Sequence, residues 1–110
     1  MFKMEIIIDR ELLEKDGYNF EYTLSLLRKN FEKAGFEREF LEGGHMIFTG
    51  TDSPKDFGYM GLMYSRLVDQ QWFKNCVTYW HLIKDGKDAG DYIKTAKHSG
   101  TWWGHGEIKL

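Results

Sequence analysis

Two segments of this chain repeat their apolar residues at steps of three and four, while the stretches around them are short and rich in β-formers. That switch restricts the fold more than composition does, because the first spacing builds one face of a helix and the second pattern builds strands. The first helical segment sets Phe20, Leu24, Leu27, Phe31 and Ala34 on one stripe, with Glu21, Arg28, Lys29, Glu32 and Lys33 towards water. Gly35 follows, where a left-handed helix cap is expected. The second helix is announced by Thr51-Asp52-Ser53-Pro54-Lys55-Asp56. Ser53 is the candidate N-cap, Pro54 suits the first helical position, and Asp56 completes a capping box. Its stripe reads Phe57, Met60, Gly61, Tyr64, Leu67 and Val68, and Gly58 and Gly61 are expected to let it approach a sheet closely.

The strands fall around these helices. Ile6-Ile7-Ile8 is a β-branched run ending at Asp9. The charged segment from Arg10 to Gly17 reads as a loop with one helical turn around Leu12 and Leu13. Residues 36–41 and 45–49 flank Gly43-Gly44 and read as a hairpin. Residues 76–83, Cys-Val-Thr-Tyr-Trp-His-Leu-Ile, form a fourth strand. The order strand, helix, strand, strand, helix, strand predicts an α+β domain of the ferredoxin-like βαββαβ kind. Its four-stranded antiparallel sheet carries two helices on one face, and right-handed crossovers fix the topology. Asp85-Gly86-Lys87-Asp88 reads as a turn and Asp91 to Ala96 as a short helix. The ferredoxin-like domain is assigned to residues 1–96, and residues 97–110 to an irregular extension rich in Trp and Gly.

The 110 residues suit one domain, with 42% hydrophobic and 16% aromatic residues as packing material. Fifteen Lys and Arg against seventeen Asp and Glu give a formal charge of −2, which disfavours binding nucleic acid chiefly by phosphate neutralisation. Cys76, the single cysteine, has no partner for an internal disulfide or a zinc ligand set. The apolar stretch near the N-terminus is too short and too soon charged for a signal peptide or membrane span. A cytoplasmic protein without membrane contact is expected.

Several short pieces resemble the virulence-associated protein D family, toxin endoribonucleases similar in fold to the CRISPR adaptation nuclease. The resemblance covers roughly residues 4–95. Tyr18-Asn19 precedes the first helix and Gly35-Phe36 ends it; His45-Met46-Ile47-Phe48 occupies the family's Gly-Ser-Val-Tyr strand; Trp72-Phe73-Lys74 with Val77 matches the approach to the fourth strand. The resemblance implies a homodimeric endoribonuclease, metal-dependent or metal-independent, with the aspartate ending the first strand as catalytic candidate. That residue here is Asp9. Where the family commonly has Asp-Ile-Arg on the fourth strand, this chain has Tyr79-Trp80-His81.

Asp9 is accordingly a candidate to hold Mg²⁺ or Mn²⁺, or to orient water near a scissile phosphate; the alternative is that it caps the next turn or pairs with Arg10. A metal-independent ribonuclease needs an acid and a base that titrate near working pH, which makes His45 and His81 candidates. They fall on the third and fourth strands, which are not neighbours in this topology, so a direct pair is not expected. Trp80, Trp102 and Trp103 are candidates to stack on unpaired RNA bases, with Lys94, Lys97 and Lys109 supplying charge, or to pack against a protein partner. Lys84, Lys87, Lys94 and Lys97, interspersed with Asp85, Asp88 and Asp91, read as a solvated turn.

Helices cover one face of such a sheet and leave the other bare. The fourth strand has no purely polar side, so the bare face is expected to pair with a second copy, with residues 98–110 adding a strand to the mate's sheet. Two functions follow from this reading. One is a toxin-type endoribonuclease. The other is a non-catalytic interaction protein on the same scaffold, a phage-type inhibitor of a host defence nuclease complex or an antitoxin-like partner, motivated by Tyr79-Trp80-His81, the near-neutral charge and the Trp-rich tail.

Overall fold

In the computed structural model, which describes residues 1–40 and 42–100, the chain runs β1 (Phe2–Ile8), α1 (Arg10–Lys15), α2 (Phe20–Lys33), β2 (Glu37–Phe40), a 3₁₀ turn (Glu42–Gly44) and β3 (His45–Thr49). It continues through α3 (Asp56–Val68), α4 (Gln71–Cys76), β4 (Val77–Lys84), β5 (Lys87–Asp91) and α5 (Tyr92–His98). The sheet order is β2-β3-β1-β4-β5, and every neighbouring pair is antiparallel. Its first four strands have the ferredoxin-like arrangement that the order of periods predicts, with α2 and α3 on the two crossovers.

Local chemistry fixes both crossover helices. The Asn19 side chain accepts from Tyr22 N–H at 2.8 Å and so caps α2. At the other end Gly35 takes φ +90°, Phe36 N–H donates to Phe31 C=O, and the two rings touch at 5.8 Å. This is a Schellman stop with its hydrophobic contact. Ahead of α3, Ser53 Oγ accepts from Lys55 N–H while the Asp56 carboxylate reaches back to the N–H groups of Thr51, Asp52 and Ser53 and to the Thr51 hydroxyl. Only half of the expected box forms: Asp56 reaches back to Ser53 N–H, but Ser53 Oγ takes the N–H of Lys55 and not of Asp56. The helix begins at Asp56 with Lys55 as its N-cap, so Pro54 lies in the turn before it.

One face of the sheet carries the core. Met4, Ile6 and Ile8 of β1, Met46 and Phe48 of β3, and Trp80 and Leu82 of β4 are buried against Leu27 and Phe31 of α2 and Met60, Met63 and Leu67 of α3. Phe31 stacks on Phe48 with ring centroids 3.7 Å apart. Phe73 of α4, Tyr64 of α3 and Tyr92 of α5 surround Trp80.

The structure departs from the sequence reading in five further places. The first is that Gln71–Cys76 form α4, with Cys76 its last residue and β4 starting at Val77, where the fourth strand was expected to begin at Cys76. The segment after Asp9 forms α1, because Asp9 caps it and Leu13 is buried. Asp85-Gly86 is a tight hairpin turn with both residues at positive φ (52° and 78°), and the chain returns as a fifth strand. The residues after Gly86 are strand where a turn was expected. The face of α3 is also rotated. Phe57 is 65% exposed, and Gly58 and Gly61 lie on the outer surface, where an added Cβ would meet nothing within 4 Å. The close approach belongs to other glycines. At Gly44 a Cβ would lie 2.4 Å from Ile8 C=O, and at Gly50 it would lie 2.5 Å from the Asp56 carboxylate. Finally, α5 continues to His98, so residues 97 and 98 belong to the helix and not to an irregular extension. Among the described residues no helix is long and apolar enough to cross a membrane.

Candidate functional site on the open sheet face

The side chains alternating with the core point to the opposite face, and strand register arranges them in rows across β3, β1 and β4. His45, Ile7 and Tyr79 form one row; Ile47, Glu5 and His81 the next; Thr49, Lys3 and Ile83 the third. Most are half-buried by their neighbours alone. The face is mixed: isoleucines at three positions, and a diagonal of imidazole, carboxylate and imidazole through His45, Glu5 and His81.

Glu5 is directly opposite His81, and its carboxylate bonds His45 Nε2. His81 Nδ1 bonds Asp88 Oδ2 at 2.7 Å, and its Nε2 lies 3.6 Å from Asp91 Oδ2. Asp88 and Asp91 are three apart, a spacing that regular alternation would send to opposite faces. The pairing of β4 with β5 shifts between Leu82 and Ile83: Leu82 faces Gly90, Ile83 faces Asp88, and Ala89 is unopposed. That bulge turns both aspartates to the imidazole. Each also has an oxygen tied to the backbone, Asp88 Oδ1 to Gly90 N–H and Asp91 Oδ1 to Lys94 N–H, which fixes its aim.

The Tyr79 ring stacks on His81, centroids 4.2 Å apart and 17° from parallel. Burial, helped by the charges of Glu5, Asp88 and Asp91, pushes the Tyr79 phenol above its ordinary value, so it stays protonated at neutral pH.

The sequence candidates divide clearly. His45 and His81 are not strand neighbours, as expected, yet they share one face with Glu5 between them. Asp9 accepts from Leu12 N–H at 3.1 Å and caps α1; Arg10 pairs instead with Glu14 and Glu21. Among the described residues no group of three or more His, Cys, Asp or Glu side chains is placed to hold a metal ion. The described donors of one chain therefore do not fit Mg²⁺ or Mn²⁺ at Asp9. Trp80 is a correction: it is fully buried beneath the sheet, its ring enclosed by Tyr64, Phe73 and Tyr92, and is closed to a base or a partner. Lys94 and Lys97 lie exposed on α5. Trp102, Trp103 and Lys109, with the expected strand addition by residues 98–110, lie outside the described residues apart from 98–100.

Sequence reasoning missed Glu5, Tyr79, Asp88 and Asp91. The available signal was Asp85-Gly86, a dipeptide suited to a two-residue hairpin directly after a strand. Taken as such, it returns the chain beside β4 and brings the aspartates to His81.

The fold and face define a ferredoxin-like α+β domain with an open, histidine-bearing sheet surface. No family model, no curated protein and no solved structure matches the chain.

Proposed function

We propose that this chain is a cytoplasmic endoribonuclease of toxin type, in keeping with its resemblance to the virulence-associated protein D family, and that it uses the open sheet face for metal-independent acid–base cleavage. One observation supports the reading above others: two imidazoles, each hydrogen-bonded to a carboxylate, on one face and on either side of β1. Two strand spacings and a two-residue offset set their Cα atoms roughly 12 Å apart, a span that side chains reaching inward can close around one phosphodiester. In the reaction one imidazole takes the proton of a ribose 2′-hydroxyl as the 2′-oxygen attacks phosphorus. The bond from phosphorus to the 5′-oxygen breaks, and the other imidazole protonates that oxygen. The products are a 2′,3′-cyclic phosphate and a 5′-hydroxyl. The carboxylates orient the rings and stabilise the imidazolium that forms. A homodimer acting this way uses a contact elsewhere than this face.

The assay is cleavage of end-labelled single-stranded RNA in the presence of chelator. His45→Ala and His81→Ala are each expected to lose at least about 100-fold in rate. Asp9→Ala is expected to keep its activity, since the side chain serves as a cap. Equal cleavage by wild type and both histidine variants would refute the mechanism, and absence of cleavage by wild type would remove the enzyme.

The second reading is a non-catalytic interaction protein, a phage-type inhibitor of a host defence nuclease complex or an antitoxin-like partner. Ile7, Ile47 and Ile83, half-buried on a face that nothing in one chain covers, favour it. There the same face is closed by protein, in the first instance by a twin. Light scattering separates the readings: Ile47→Lys halves the mass if the face is the dimer contact and leaves it unchanged if the face is open to RNA.

A further inference from the structure

Tyr79 belongs to the open face but takes no part in the proton transfers. Its ring lies parallel to His81, in the row of His45, and its neighbour across β1 is Ile7. An aromatic ring on an exposed sheet, beside groups able to act on a phosphodiester, is a surface on which an unpaired base stacks, as single-stranded RNA is commonly held. The surrounding charge bears on which nucleic acid fits. Glu5, Asp88 and Asp91 line the patch and Lys3 lies two residues along β1 from Glu5, so among the described residues the patch offers no basic track for the dense phosphates of a duplex.

We propose that Tyr79 is the base-stacking residue of this face and that its substrate class is single-stranded RNA, held by stacking more than by phosphate contacts. The base continues the stack that His81 and Tyr79 begin, and the nucleotide is thereby set beside both imidazoles. This proposal rests on the reading of the face as an RNA-cleaving surface and adds to it how the nucleotide is held.

The test is fluorescence anisotropy of a labelled 2′-O-methyl oligonucleotide, which keeps the bases but has no free 2′-hydroxyl and is bound without being cut. Tyr79→Phe is expected to bind like wild type. Tyr79→Leu, which keeps apolar area without a π-face, is expected to bind about 5- to 150-fold more weakly, the loss corresponding to one stacked base. Binding should fall only shallowly with salt, and the annealed duplex should not compete. Circular dichroism of both variants controls for folding. Equal binding by wild type and a folded Tyr79→Leu would overturn the stacking role even if RNA is cleaved. Tyr79-dependent binding without cleavage would uphold it while the enzyme reading falls. Failure of wild type to bind, with Ile47→Lys breaking a dimer, would overturn both in favour of a protein-covered face.

Discussion

Alanine placed at four glycines of this fold should act with opposite signs, and each sign can be worked from what the new methyl meets. Gly58 and Gly61 lie in α3 with ordinary helical backbone and open space where a Cβ would go. There alanine removes unfolded-state freedom and nothing else, worth up to about 1 kcal/mol at each position. The double variant should gain about 1.5–2 kcal/mol, or roughly 4 °C in melting temperature per kcal/mol for a domain of this size. Gly44 is the reverse case. Its φ of +82° disfavours any side chain, and the methyl would lie 2.4 Å from Ile8 C=O, in backbone that holds β1 against β3. The conformational and steric penalties together come to about 2–5 kcal/mol. Gly50→Ala presses on an Asp56 carboxylate that hydrogen bonds keep in place, and should cost about 1–3 kcal/mol. Urea unfolding followed by circular dichroism measures all four. Destabilisation by Gly58→Ala or Gly61→Ala would refute the reasoning, because it requires that the outer surface of α3 be covered in solution. A loss that depends on protein concentration would identify a second copy as the cover.

Two further predictions rest on titratable groups. Burial pushes the Asp56 carboxyl upward, but the hydrogen bonds from Thr51, Asp52 and Ser53 outweigh it and leave its value below that of a free aspartate. A depressed carboxyl stabilises the fold above its unfolded value, near 4, and loses that contribution as pH falls through the folded value. The stability difference between wild type and Asp56→Asn should therefore be constant near neutrality and shrink below about pH 4, as read by urea midpoints across pH. The Cys76 thiol is pushed up to about 12 by burial and by the nearby charges of Asp16 and Asp9. It should resist a thiol-specific disulfide reagent at pH 8 in the native protein and react promptly in denaturant; equal rates in both conditions would refute that burial.

How far the sequence could be read depended on whether the signal was local. The apolar stripe of α2 and its stop at Gly35 are written within a few residues each, and the structure has them; of the box at Ser53 and Asp56 it has only the carboxylate's return to Ser53 N–H. Four strands and two crossovers then leave few topologies, which is why the sheet order of β1 to β4 followed. The face of α3 was harder, because Phe57, Gly58 and Gly61 fit a helical spacing but Met63, one position round, is the residue that the sheet covers. The site was least legible. Glu5, His45 and His81 come from three strands and meet only through register, which no single segment encodes, and Trp80 reads as a binding aromatic until the depth of β4 is known.

Ala89 has no partner across the ladder, so the parity of β5 is set there by chain length and not by side-chain chemistry. Deleting that residue would put the two aspartates two positions apart, so a ladder of regular alternation would hold both on the His81 side with no bulge at all. The bulge is therefore what lets a strand one residue longer than its ladder still show the same polar surface.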